Sequence, residues 1–239
     1  ASVSSLPQYL PAYAGFLLEE EISTLTQALN DPARPLVSIT GGIKISSKVK
    51  LIENLLKKSD NVLVGGKIAN TILTVKGICV RDKWTDEERM LEEFAGKINL
   101  TSPKLHLPVD GVISLIGGSD EDYSRIGAVG TVRSDEDIFD IGPETVEKFK
   151  AVINEARTII WNGPLGYIER EDFREGTKEI IKAIAKSPAY SIVGGGETVE
   201  TIRQEKMENG FDYISTGGGA MLDFISGVEL PGLKALENN

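Results

Sequence analysis

The chain has 239 residues, 41% of them hydrophobic, enough to bury a sizeable core as one large α/β domain or two small ones. A formal net charge of −10 argues against a general nucleic-acid-binding or anionic-membrane surface, so any phosphate site must be built locally from glycine backbone and a few lysines. The single cysteine, Cys79, excludes an internal disulfide framework and fits a reducing cytoplasm, and no apolar run approaches the ~18 residues that span a bilayer.

Residues 1–13 contain Pro7 and Pro11 and little periodicity, which reads as a linker or hinge; they carry no signal-peptide pattern and no initiator Met, as expected of a fragment or processed chain. Residues 14–239 are expected to form the folded domain. From Gly15 to Asn30, Leu17, Leu18, Ile22, Leu25 and Leu29 recur at helical spacing, with Glu19, Glu20 and Glu21 exposed between them. Pro32 and Pro35 stop that helix. Leu36 to Thr40 reads as a short buried strand, followed by Gly41-Gly42 and a basic helix start, Lys44 to Lys58. Asn61 to Val64 repeats the theme: a strand, Gly65-Gly66, then a helix to Val75. An amphipathic helix is expected from Thr85 to Leu100, with Thr85 and Glu88 forming a capping box.

In the middle of the chain, Val112 to Ile116 and Ala128 to Val132 predict strands separated by an acidic loop, Gly117 to Arg125. Asp140-Ile141-Gly142-Pro143 opens a helix to about Ala156, with proline in its first turn. Thr158 to Trp161 is a strand that ends in Asn162-Gly163-Pro164-Leu165-Gly166, and Phe173 to Ser187 is a helix. Next comes an apolar run from Tyr190 into Gly194-Gly195-Gly196, then Glu197, Thr198 and a helix-friendly segment from Val199 to Glu208. Tyr213 to Ser215 leads into Gly217-Gly218-Gly219 and a last short helix to about Ser226. Strands alternating with helices predict a mostly parallel sheet flanked by helices on both faces, a Rossmann-like three-layer sandwich. Each glycine cluster follows a strand and so falls on the carboxyl edge, where such sheets bind ligands.

Two familiar nucleotide signatures are absent. No Gly-x-x-x-x-Gly-Lys-Ser/Thr occurs, and Val199 and Leu222 stand where a dinucleotide fingerprint needs Gly or Ala. Read alone, Gly194 to Thr198 is either a tight turn with a solvent-facing Glu197 or an anion site whose carboxylate holds a metal-bound polyphosphate. Lys44 and Lys48 lie one helical turn apart and share a face, either a phosphate contact or a solvated basic helix start. His106 is the only histidine, so there is no His-based acid–base or zinc cluster; it reads as structural. Cys79 and Trp161 read as core, and Trp84 as an anchor at a loop–helix junction.

Four loops share an order and spacing: Gly41-Gly42-Ile43-Lys44-Ile45-Ser46-Ser47-Lys48, Trp161-Asn162-Gly163-Pro164-Leu165-Gly166-Tyr167-Ile168-Glu169, Gly194-Gly195-Gly196-Glu197-Thr198 and Ser215-Thr216-Gly217-Gly218-Gly219-Ala220. In this the chain resembles the C-terminal, nucleotide-binding half of the phosphoglycerate kinases. The resemblance extends to Leu107-Pro108-Val109-Asp110 and Leu230-Pro231-Gly232 and covers nearly the whole chain. It implies binding of ADP or ATP with Mg²⁺, and reversible glycolytic phosphoryl transfer between 1,3-bisphosphoglycerate and ADP. It also implies that the phosphoglycerate site lies on an absent N-terminal domain, that this chain alone turns over negligibly, and that the protein is a cytoplasmic monomer.

Residue by residue, the resemblance makes Lys44 the group that neutralises the transferring phosphoryl, with Gly196, Gly218 and Gly219 beside it, and Lys48 a nucleotide-phosphate contact. It places Gly42, Gly65 and Gly66 along the nucleotide with Asn162, Pro164 and Gly166, Tyr167 near the base, and Glu169 on the ribose hydroxyls. Gly195, Gly196, Glu197 and Thr198 become the phosphate corner, with Glu197 on the metal. Phe139 either lines the adenine pocket or belongs to the core. Three positions depart from the family pattern: Glu197 stands where Asp is usual, Lys67 where a third glycine is common, and Met221 where a small hydroxyl residue is usual. The alternative from another class is a stand-alone, non-catalytic nucleotide-binding module; a Rossmann-type oxidoreductase is disfavoured by the missing fingerprint.

Overall fold

The carboxyl edge of one parallel sheet gathers most of the glycine loops onto a common surface. The computed structural model describes residues 3–43, 49–79, 85–86, 89, 99–117 and 123–237. Strands β1 (Leu36–Thr40), β2 (Asn61–Val64), β3 (Leu105–His106), β7 (Thr158–Asn162), β8 (Tyr190–Gly194) and β9 (Tyr213–Ile214) form a six-stranded sheet in the order β3-β2-β1-β7-β8-β9. Every neighbouring pair is parallel, with Thr40 of β1 level with Val64 of β2 and Asn162 of β7, and Asn162 level with Gly194 of β8. These strands therefore end together, and the turns that follow them must meet.

Alternate strand residues feed two cores, as the pleat requires. Leu36, Val62, Val64, Ile160 and Ile192 face helices α1 (Phe16–Asn30), α2 (Val49–Lys58) and α3 (Gly66–Val75) through Leu25, Leu29, Leu51, Leu55 and Ile72. Val37, Ile39, Leu63, Ile159, Trp161 and Val193 face the opposite layer. That layer is α4 (Pro143–Glu155), α5 (Glu175–Lys186) and α6 (Gly196–Gln204), packed through Phe149, Ile153, Ile180, Ile184 and Ile202. Two short helices, α7 (Gly219–Ile225) and α8 (Pro231–Glu237), complete the C-terminal end. The three-layer α/β architecture is as expected, and Trp161 and Cys79 are buried core residues. His106 is half-buried on the edge strand, its ring nitrogen 2.8 Å from Asn61 Oδ1.

The middle of the chain differs from its expected form. A second, antiparallel sheet joins β5 (Arg125–Ala128), β4 (Asp110–Leu115) and β6 (Glu136–Ile141). The expected strand at Ala128 to Val132 instead becomes a 3-10 turn, Val129–Thr131, after β5 has ended at Ala128. Strand β6 takes in Asp140 and Ile141, expected to open the next helix, which begins at Pro143: Glu-Asp-Ile-Phe-Asp-Ile looks too acidic to be buried, yet each of its carboxylates finds donors from elsewhere. Glu136 pairs with Arg125 at 2.8 Å, Asp137 with Lys67 at 2.8 Å, and Asp140 accepts from the Gly176 N–H at 2.7 Å.

In α1, Glu21 is only 8% exposed, whereas Leu17 and Leu18 face outward, the reverse of the expected arrangement. The Glu21 carboxylate accepts from Tyr213 Oη at 2.9 Å, from Ser215 Oγ and from the Thr216 N–H at 3.2 Å, which offsets its desolvation. The helix expected from Val199 begins three residues earlier, at Gly196, and ends at Gln204. The described part of the expected linker, residues 3–13, includes a 3-10 turn, Leu6–Gln8, and lines a cavity with Pro231 and Lys234. The helix expected over 85–100 lies largely outside the described residues, as does Trp84.

The antiparallel sheet is tied to the main body by Asp110. Gly142 precedes α4 and offers no side-chain cap, so Asp110 on β4 supplies one from across the chain. Its Oδ1 accepts from the Thr145 N–H at 2.7 Å and its Oδ2 from the Glu144 N–H at 3.0 Å. Replacing it by alanine leaves two helix N–H groups without these acceptors, one of them buried. We expect D110A to lower the urea unfolding free energy by about 2 kcal/mol; an unchanged midpoint would refute the capping role.

Candidate functional site

Two adjoining cavities lie along the carboxyl edge. One, of about 250 Å³, is lined by Gly42, Gly66, Lys67, Asn70, Ile116, Asp137, Ile138, Phe139, Pro164, Gly166, Tyr167, Glu169 and Glu197, among others. The other, of about 460 Å³, is lined by Gly42, Asn162, Gly163, Pro164, Gly195, Gly196, Glu197, Thr198, Gly218 and Gly219, among others. Gly42, Ile43, Pro164 and Glu197 border both, so the two form one cleft.

The turn after β7 holds this cleft together. The carbonyl of Asn162 accepts from the Gly41 N–H at 3.2 Å, that of Pro164 from Gly42 at 2.8 Å, and that of Leu165 from Gly66 at 2.8 Å. A Cβ on Gly41 would overlap the Pro164 carbonyl, so only glycine permits this approach. The Gly42 and Gly66 N–H groups are thus committed to backbone. Gly65 is packed against Leu165 rather than lining the cleft. Thr198 is fully buried, and its Oγ1 accepts from the Gly163 N–H at 3.1 Å, fixing α6 to the same turn.

Open donors come from the two later glycine trios. Gly195 caps α6 with φ +93°, a left-handed backbone that glycine adopts without strain. Val199 is the first α6 residue whose N–H bonds within the helix, to the Gly195 carbonyl at 3.0 Å, which directs the preceding N–H groups toward the cleft. In the last trio, the Thr216 N–H goes to Glu21 and the Gly217 N–H to Ser215 Oγ, so Glu21 orders the loop that carries Gly218 and Gly219. Glu197 is exposed in the first turn of α6 and borders both cavities. Among the described residues no three His, Cys, Asp or Glu side chains cluster as a metal cage. One carboxylate beside open N–H groups suits a Mg²⁺ that arrives on ligand phosphates and keeps its waters.

The smaller cavity has apolar walls. Phe139 meets Tyr167 edge-on at 6.1 Å between centroids and stacks on Phe173 at 4.9 Å, so it belongs both to the wall and to the core behind it. Met221, at the third departure, is buried beneath Gly194, where a Cβ would overlap its sulfur, and lies 3.8 Å from Asn162 Nδ2. Lys44 and Lys48 lie outside the described residues. Lys67 lines this cavity together with Asn70, Asp137 and Ile138, which carried no site expectation; β6 brings the last two from 70 positions along the chain.

Beneath the turn, Asp140 Oδ1 and Oδ2 accept from the Ile141 and Gly176 N–H groups at 2.9 and 2.7 Å, and the carboxyl abuts Gly166. Burial pushes this carboxyl up to about 7.

A parallel sheet whose edge loops set helix N-termini beside a ring-sized apolar cavity defines an α/β domain built to receive an anion-bearing ligand. The profile of the phosphoglycerate kinase family matches residues 1–228. The phosphoglycerate kinase of Herpetosiphon aurantiacus is 42% identical over 244 aligned residues, covering all of this chain and 61% of that protein. The solved phosphoglycerate kinase of Coxiella burnetii superposes with a TM-score of 0.86 at 38% identity, covering 99% of this chain and 61% of that one. That of Pyrococcus horikoshii gives 0.83 at 35% identity, with 99% and 60% covered. The chain belongs to the phosphoglycerate kinase family, and it spans about three-fifths of the length of these relatives.

The raised Asp140 titration has a definite sign. Between about pH 4 and 7 the folded chain holds a proton that the unfolded chain has released, so this carboxyl's contribution to stability falls as pH rises through that window and levels off above it. Half-buried His106, held below its ordinary value by burial, acts in the opposite direction near pH 6, so the wild-type profile must be compared with D140N. Relative to D140N, the wild type should lose on the order of 2–4 kcal/mol between pH 4 and 7 in urea titrations. Parallel pH profiles would show that Asp140 does not titrate there.

Proposed function

We propose that this chain is the C-terminal, nucleotide-binding part of a phosphoglycerate kinase, residues 14–239, with 1–13 as the connection to an N-terminal part that carries the phosphoglycerate site. The reaction of the whole enzyme is phosphoryl transfer between 1,3-bisphosphoglycerate and ADP, giving 3-phosphoglycerate and Mg-ATP. One observation carries this reading above the family membership: a single cleft joins an apolar, ring-sized cavity to a glycine-lined cavity, and Glu197 borders both.

In this reading the base enters the smaller cavity beside Tyr167 and Phe139, and Glu169 accepts from the ribose hydroxyls, a task suited to a carboxylate with two oxygens. The phosphates lie along the larger cavity. The N–H groups at Gly195 to Thr198 and at Gly218–Gly219 stabilise their charge, which suits a transfer governed by positioning and electrostatics. Lys44 and Lys48 add positive charge to the same phosphates. Glu197 holds the magnesium, which neutralises phosphate charge when the nucleotide is bound. Closure between the two parts excludes water and completes the reaction centre, so this chain alone turns over negligibly. The protein works as a cytoplasmic monomer. The comparisons do not favour a non-catalytic module.

Isothermal titration of the 239-residue chain should show Mg-ADP binding that weakens when EDTA removes the metal. E197A should bind Mg-ADP about as weakly as the wild type binds metal-free ADP. No heat with any Mg-nucleoside diphosphate would overturn the nucleotide site, and near-normal kinase turnover in a coupled assay would overturn the two-part reading.

A further inference from the structure

The base-side cavity carries an ion pair that phosphoryl transfer does not require. Lys67, in the first turn of α3, donates from Nζ to Asp137 Oδ2 at 2.8 Å, the two side chains being 27% and 12% exposed. Asp137 is itself held in place: its Oδ1 accepts from Asn70 Nδ2 at 2.8 Å and from the Ile138 N–H at 2.9 Å. The ammonium is therefore fixed on the cavity wall. It has three N–H groups, and among the described residues only Asp137 takes one of them. Beside the polar Asn70, Asp137 and Glu169, the wall of the same cavity is made by Ile116, Ile138, Phe139 and Tyr167. A planar ring entering this cavity meets Lys67 as a fixed hydrogen-bond donor.

The two purine classes present different edges to such a donor. A 6-oxopurine, guanine or hypoxanthine, offers O6 beside N7, two adjacent acceptors that match lysine. Adenine offers an amino donor at that position beside N7, the edge that suits a bidentate Asn or Gln. Asn70 cannot serve in that way, because both of its amide N–H groups are spent, on Asp137 Oδ1 and on the Ile138 carbonyl at 2.7 Å. An amino group facing the ammonium in a partly desolvated cavity sets donor against donor, and the adjoining Asp137 carboxylate already accepts from Lys67, Asn70 and the Ile138 N–H. We propose that Lys67 is a specificity-determining residue that makes this cavity favour 6-oxopurine over adenine nucleotides. The inference rests on the nucleotide reading above and changes only its base preference.

Titration of the chain with Mg-ADP, Mg-GDP and Mg-IDP tests it. The wild type should bind Mg-GDP and Mg-IDP about tenfold or more tightly than Mg-ADP. K67M should lose that preference, and K67M/D137N should lose it too without leaving a buried carboxylate unpaired. Wild-type Mg-ADP binding as tight as both others overturns the proposal while leaving the nucleotide site standing; silence with all three overturns the site itself. Tight Mg-GDP with Mg-IDP no better than Mg-ADP would assign the preference to the guanine amino group, against this reading. A 6-oxopurine preference that survives in both variants would remove Lys67 from the role. If the variants do not fold, the wild-type ranking still decides the base preference.

Discussion

The row of carbonyls in the turn after β7 is the constraint on which the cleft depends. Asn162, Pro164 and Leu165 accept from Gly41, Gly42 and Gly66, while the Leu165 and Gly166 N–H groups donate to Thr177 Oγ1 at 3.1 and 3.3 Å. The Tyr167 N–H donates to the Phe139 carbonyl at 2.7 Å, and the Gly163 N–H to Thr198. One short turn thus bonds to the loops after β1 and β2, to β6, and to helices α5 and α6. Each such bond adds only about 1 kcal/mol net, but leaving any buried partner unmade costs more than that. The loops therefore cannot shift singly, and the cleft holds its shape as a unit.

That rigidity answers an electrostatic difficulty. In the proposed reading, a chain with a formal net charge of −10 must attract a polyphosphate against its own field. The described part of the cleft does so with oriented backbone: helix N-termini supply partial positive charge without a titratable group, and the glycine turns bring them close. The acidic residues nearby are largely committed elsewhere. Asp140 is buried beneath the turn, Asp137 is paired with Lys67, and Glu21 organises the last glycine loop. Among the described residues, Glu197 alone borders both cavities as an exposed carboxylate in the first turn of a helix, where its charge is favoured by the dipole.

How much could be read in advance depended on whether a residue's partners were local. Leu36 to Thr40 and Asn61 to Val64 are short apolar runs stopped by glycine pairs, and both strands have the expected bounds. The glycine positions followed, because a turn between a buried strand and a helix is a local event. Strand β6 was opaque: the acidic residues of Glu136–Ile141 mimic a solvated loop unless Arg125, Lys67 and Gly176 are known to meet them. Glu21 failed for the same reason, although its spacing of four from Leu25 places it on the buried stripe of α1. In the cleft, the glycine-lined half was legible from motifs. The wall made by Asn70, Asp137 and Ile138 was not, since no short pattern announces a contact across some 70 residues.

The two sheets divide the cleft between them. The parallel sheet ends in the glycine turns, whereas the antiparallel one contributes Asp137, Ile138 and Phe139 from β6 and Ile116 just beyond β4. In the proposed reading, backbone geometry that any nucleoside phosphate would share thus comes from one structural unit, whereas the wall that meets the ring is shared, Asp137 of the antiparallel sheet holding the Lys67 that α3 presents. Substitutions in the antiparallel sheet can retune selectivity while the phosphate apparatus is left as it is. Evolution or an engineer can therefore adjust the choice of ligand and the chemistry performed on it as nearly separate traits.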